Sequence, residues 1–135
     1  MSDVKPPDPM PVGSESADAA SANLLFARRL IAQGDPRRAM KFLADSIAQV
    51  ATPESLFLLA QLEMDSPPTQ SRALDHLRQV TVMFPQFTEA WMMLANYWGL
   101  RSQPDKQKRC LEKVLAYDPK NRDARDTLEL LLLNK

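Results

Sequence analysis

A period of 34 residues limits the possible folds of this chain more than any other feature. Ala39, Ala73 and Gln107 stand 34 apart, Leu43, Leu77 and Leu111 keep the same step, and so do Pro85 and Pro119. The segment ESLFLLAQLE (54–63) aligns with EAWMMLANYW (89–98) at a shift of 35, and the turn that follows absorbs the extra residue. In the first unit, NLLFARRLIAQGDPRRAMKFLADSIAQ, Ala27 takes the place of Ala60 and Ala95. A fixed period of this length marks one supersecondary unit, too small to bury its own apolar face, stacked on copies of itself.

Each unit reads as helix, short turn, helix. Between its prolines the chain is rich in Ala, Leu, Met, Arg, Lys, Gln and Glu, which lose little side-chain freedom in a helix. The expected fold is all-α, an α-α superhelix of about seven helices. In GDPRRAM, Gly34 can end a helix at positive φ, Asp35 can cap the next, and Pro36 suits its first turn. Thr52 with Pro53 predicts another start. Thr88 is expected to cap a helix with Glu89 in its first turn, where the dipole favours an anion. Asn121 is expected to cap a last helix.

The pattern resembles the tetratricopeptide repeat family. The third unit carries it best, with Trp91, Leu94, Ala95 and Trp98 in its first helix, Leu111 and Leu115 in its second, and Pro119 at its end. The second unit keeps Leu56, Leu59, Ala60, Ala73, Leu77 and Pro85, and the first keeps Ala27, Leu30, Gly34, Ala39, Leu43 and Ile47. There are departures. Gln107 stands where the family has a small alanine, Ala60 and Ala95 replace a glycine, and the first unit lacks the terminal proline. The resemblance implies repeats at about 20–51, 53–86 and 88–120 and a capping helix at 121–133, in a domain spanning 19–135. Residues 1–18, which include Pro6, Pro7, Pro9 and Pro11, read as a disordered Pro/Ser-rich tail.

On a helical wheel Trp91, Leu94, Ala95 and Trp98 share one stripe, and are expected to be the packing set whose loss unfolds the chain. Met92, Asn96 and Gly99 lie about a quarter turn away. Met93 and Tyr97 fit neither stripe and are expected to pack on neighbouring helices. In the family the face of Met92, Asn96 and Gly99 lines a concave groove that holds a partner's peptide or helix. The implied groove is Leu24, Arg28 and Ile31 in the first unit, Phe57, Gln61 and Met64 in the second, and Met92, Asn96 and Gly99 in the third, mainly apolar in character. Leu24 and Met92 stand where carboxylate-clamp relatives carry lysine, which argues against that mode. The strip KPPDPMPV of the tail is an alternative occupant of the groove.

Composition removes several functions. Lys+Arg and Asp+Glu are 17 each, without the basic excess on which nucleic-acid affinity rests. One Cys rules out an internal disulfide, and a reduced, cytoplasmic setting is the expectation. No apolar run suggests a signal peptide or membrane insertion. No metal set, cofactor loop or acid/base pair can be placed, so no cofactor, metal or catalytic residue is expected. His76 reads as a surface or edge residue and Cys110 as a half-buried packing thiol. In the last helix Ala124, Leu128, Leu131 and Leu132 form the stripe that closes the third repeat. Leu130 and Leu133 point away from it, as a homodimer contact would require.

The expected function is therefore non-enzymatic: an adaptor or scaffold that binds a protein or peptide in an apolar groove. The alternatives are a small secretion-type chaperone and a structural module that self-assembles through its C-terminal helix.

Overall fold

The computed structural model describes residues 12–134, with side chains from residue 17 onward. Among the described residues there are seven α-helices and no strand: α1 (Val12–Ala32), α2 (Pro36–Gln49), α3 (Pro53–Met64), α4 (Gln70–Met83), α5 (Thr88–Leu100), α6 (Pro104–Tyr117) and α7 (Arg122–Leu133). The all-α helical-repeat expectation holds. The helix boundary near the N-terminus differs: α1 begins directly after Pro11, so residues 12–18, read as tail, are helical. The strip KPPDPMPV (5–12) lies outside the described residues except for Val12, the first residue of α1. The chain divides into two compact units, residues 1–51 and 52–135.

The first unit is the hairpin of α1 and α2. Small residues allow the two helices to approach: Ala20, Ala27, Ala39 and Ser46 are buried with Leu43. Ser46 is satisfied there, since its Oγ donates to the Ala20 carbonyl at 2.8 Å. Phe26 and Phe42 meet at the hairpin with ring centroids 5.7 Å apart. Asp35 caps α2 by accepting from the Arg38 amide at 3.2 Å.

The second unit contains two further hairpins, α3–α4 and α5–α6, with α3 and α4 packed on α5 and α7 on α6. Thr52 and Ser55 form a reciprocal capping box at the start of α3, and Asn121 caps α7 by accepting from the Ala124 amide at 2.9 Å. Thr88 does not cap α5. It is already the first helical residue, Phe87 holds the cap position, and no side chain bonds the free amides there.

The sequence period reappears in burial and in backbone hydrogen bonding. Leu43, Leu77 and Leu111 are fully buried, as are Val80 and Val114 at the positions equivalent to Ser46. All three second helices close with the same bond, from the amides of Val50, Phe84 and Asp118 to the carbonyls of Ser46, Val80 and Val114. The α1–α2 and α5–α6 turns are also equivalent. Gly34 and Asp35 bond the carbonyls of Ile31 and Leu30, and Ser102 and Gln103 bond those of Gly99 and Trp98. The α3–α4 connection carries the extra residue and solves its carbonyls differently. Thr69 Oγ1 donates to the Glu63 carbonyl at 2.6 Å and Gln70 Nε2 to that of Met64 at 3.1 Å.

One sequence difference between the two equivalent turns has an energetic consequence. Gly34 sits at φ 80° at no steric cost, whereas Ser102 is held at φ 55°, where a Cβ is strained. Asp35 caps its helix, whereas Gln103 makes no side-chain cap. Converting Ser102-Gln103 to Gly-Asp copies the first turn onto the second. The double variant is expected to be more stable by about 1–2 kcal/mol, by chemical denaturation. A neutral or destabilising result contradicts the strain and cap assignments.

Candidate functional site

The face of α5 that carries Met92 and Asn96 opens onto a cleft of about 350 Å³ in the second unit. Phe57 of α3 and Met92 and Met93 of α5 supply its apolar surface. Phe57 is held by an edge contact with Phe87, centroids 5.4 Å apart. Asn96 is exposed at the cleft and so presents its amide to solvent. The remaining walls come from helix starts and from the α6–α7 turn. Glu89 and Asp123 stand in the first turns of α5 and α7, and Asp118, at the end of α6, lines the cleft with them. Carboxylates at helix N-termini are favoured by the dipole, so the chain places these acids at little cost. Asn121 also borders the cleft, but its amide is committed: it caps α7 and donates to Asp118 Oδ2 at 3.3 Å. No Lys or Arg is among the residues lining this cleft.

Of the expected groove residues, Phe57, Met92 and Asn96 come together here. Gln61 and Met64 are half-buried further along α3 and are not among the cleft's walls. Gly99 has a different surrounding. A Cβ at Gly99 would stand 2.8 Å from Gln107 Nε2, so this glycine makes room for the Gln107 side chain at the α5–α6 crossing. That contact also accounts for a glutamine at a position where the other repeats have Ala39 and Ala73. Leu24 and Ile31 are half-buried and Arg28 exposed on α1 of the first unit. The cleft is more polar than the expected apolar groove, because the α6–α7 turn contributes acids that the wheel of α5 could not reveal. Met93, which fits neither stripe, is part of its wall.

The packing stripe of α5 also differs from expectation. Leu94, Ala95, Ala90 and Tyr97 are buried, while Trp91 and Trp98 are only half-buried. The Trp91 indole N–H donates to the Pro85 carbonyl at 2.7 Å, and the Lys106 ammonium sits 4.3 Å from the Trp98 ring centroid. Tyr97 packs edge-on against Trp98 and carries the Arg101 guanidinium 3.7 Å from its own ring centroid. Two tryptophans are too large to bury fully on a 13-residue helix that already packs against α3, α4 and α6.

His76 is not a free surface histidine. Its Nδ1 lies 2.6 Å from Oε1 of Glu63, whose side chain is 3% exposed. Glu63 was not singled out by sequence, although it aligns with Trp98 on the packing stripe, and an acid at such a position is a signal. His76 aligns with Cys110 by the 34-residue step. The pair is therefore a polar version of the Trp98–Cys110 positions of the next repeat. Cys110 is buried, and burial pushes its thiol from about 9 up to about 11, so it stays protonated at neutral pH.

On α7, Ala124 is fully buried, but Leu132 is 48% exposed rather than packed. Leu130 and Leu133 are exposed at 61% and 78%, in the outward position read from the sequence. Among the described residues no cluster of His, Cys, Asp or Glu could hold a metal ion, and no helix is long and apolar enough to cross a membrane.

The helical-hairpin repeat seen in both units defines an all-α helical-repeat fold. The relatives in structure agree. The chain is similar to the first tetratricopeptide repeat domain of Spaghetti (RPAP3), solved with a bound HSP90 peptide, with a TM-score of 0.77 at 14% identity over 87% of this chain and 96% of that one. It is also similar to two structures of MamA. One has a TM-score of 0.74 at 17% identity over 83% of this chain, the other 0.77 at 17% over 85%. The chain spans 61% and 67% of the length of those MamA chains. No family model matches the sequence, and no curated protein is similar to it. At these identities the likeness is one of fold.

Proposed function

We propose that the chain is a non-enzymatic protein-interaction module, and that the cleft of Phe57, Met92 and Asn96 holds a partner segment in which an apolar residue is flanked by Lys or Arg. The observation that carries this reading is the joint composition of the cleft: an apolar floor from α3 and α5 beneath Glu89, Asp118 and Asp123, with no cation in its lining. An apolar anchor gains by leaving water, and the acids favour a cationic neighbour and disfavour an anionic one. A volume of about 350 Å³ suits one or two side chains rather than a whole helix. The exposed Asn96 amide can bond the backbone of an extended segment without reading its sequence.

The Spaghetti (RPAP3) neighbour binds the peptide SRMEEVD. That peptide is acidic, and the acidic mouth here disfavours it. This supports the same conclusion as the leucine and methionine at Leu24 and Met92, that a carboxylate clamp is not the mode of binding.

The test is fluorescence anisotropy with two labelled peptides, SRMEEVD and a short Leu-Lys-Arg peptide. The basic peptide should bind at this cleft, and SRMEEVD should not. The pair Phe57→Glu and Met92→Glu should abolish its capture, and the pair Glu89→Gln and Asp123→Asn should weaken it about fivefold, with helicity kept in both. SRMEEVD binding that is lost in the Phe57→Glu, Met92→Glu variant, or basic-peptide binding unchanged in that variant, would sink the assignment.

A further inference from the structure

A second cleft lies across α5 from the first, on the side of the tryptophans. It occupies about 400 Å³ among α4, α5 and α6. Its floor is Leu94 with the half-buried rings of Trp91 and Trp98, and Val82, 80% exposed, extends that apolar surface. Its rim is Arg78, Lys106 and Arg109, and no carboxylate is among its lining residues.

The cations are positioned over rings rather than neutralised by acids. Lys106 Nζ is 4.3 Å and Arg78 Cζ 5.9 Å from the Trp98 centroid, and Lys113 Nζ is 5.9 Å from that of Trp91. Among the described residues the contacts between a basic side chain and a carboxylate are Arg38–Asp35 and His76–Glu63, so none of these cations is paired with a described carboxylate. A cation above an indole keeps its full charge and is fixed in place. Although the chain is neutral overall, one face of α5 therefore bears an acidic cleft and the opposite face a basic one.

We infer that the tryptophan cleft docks an acidic segment of a protein partner. An aliphatic or aromatic anchor of that segment enters between Trp91 and Trp98, and carboxylates beside it meet Arg78, Lys106 and Arg109. An exposed Val82 beside two half-exposed indoles is surface that gains by being covered. The lining supplies positive charge alone, so acidic side chains complete it. Nucleic acid fits less well, because Val82 and Leu94 offer nothing to a phosphate backbone and a chain of zero net charge lacks the wider basic field such binding uses.

Both tryptophans of the chain line this cleft, so their emission reports its occupancy. The probe is a synthetic helix-forming peptide of about 15 residues built from Glu, Ala and Leu, without Trp; a matched peptide carries Lys for Glu. With the full chain, the Glu peptide should change the emission saturably and the Lys peptide should not. The effect should weaken as salt is raised. Lys106→Glu with Arg109→Glu should weaken binding about tenfold and Lys106→Gln with Arg109→Gln by less, both at unchanged helicity, since these side chains are exposed. The Phe57→Glu, Met92→Glu variant should bind the Glu peptide as the parent does, which separates this site from the first cleft. No emission change, an equal emission change with the Lys peptide, or tighter binding of a single-stranded oligonucleotide overturns the proposal.

Discussion

Replacing Leu111 by alanine is expected to lower stability by about 2–5 kcal/mol, the range for deleting a fully buried leucine side chain. Leu111 is completely buried on α6, the helix that packs on both α5 and α7, so the space it leaves cannot be filled from one side alone. Small domains are stable by only about 5–15 kcal/mol, and the loss is therefore a large fraction of the total. Urea denaturation followed by circular dichroism should show a markedly lower midpoint. Leu100, 66% exposed at the end of the neighbouring helix, is the control: its change to alanine should stay within about 0.5 kcal/mol. Comparable losses at both positions would mean that the second unit is not packed around the repeated leucines.

The His76→Ala variant is the second large effect, expected to cost about 2–4 kcal/mol. The imidazole itself is partly exposed and contributes little packing. The cost arises because Glu63 remains on the packing stripe with its Oε1 deprived of the partner at 2.6 Å. A buried acceptor without a donor bears its full desolvation penalty, whereas removing both partners can be nearly neutral. Glu63→Leu in the His76→Ala background should therefore recover most of the loss. A double-mutant cycle measures this directly, and additive effects at the two sites would refute the coupling.

The aligned residues were a reliable guide wherever close packing of backbones imposes the residue type. Ala27, Ala60 and Ala95 align by repeat and are buried in each first helix. Leu43, Leu77 and Leu111 do the same in each second helix. The signals at Gly34, Asp35, Thr52 and Asn121 were also legible, because turn and cap chemistry involves residues at most a few positions apart. Thr88 misled because a threonine before a helical run can equally well be its first residue. Composition averaged over a window misled at the N-terminus, where Pro11 is the last of the tail's prolines and the helix starts directly after it.

The candidate site was legible only in part, for a different reason. The wheel of α5 correctly joined Met92 to Asn96, and the repeat joined both to Phe57. Glu89, Asp118 and Asp123 reach the same cleft from two helix starts and a turn, with no shared period to link them. Gly99 looked like an open groove position, and it is the contact with Gln107 on the next helix that gives it a role. The tryptophans looked like core because they share a stripe with Leu94, yet a stripe states a direction and not how far a neighbouring helix covers it.

Periodicity and local capping thus decided the class of fold, the helix boundaries after the start of α1 to within a few residues and the small-residue crossings, since each depends on spacing along the chain. The charge of the two clefts, the half-exposure of Trp91 and Trp98 and the pairing of His76 with Glu63 were decided only when separate helices came together. They depend on distances between residues that no repeat relates, and burial or electrostatic complementarity exists only once those distances are set.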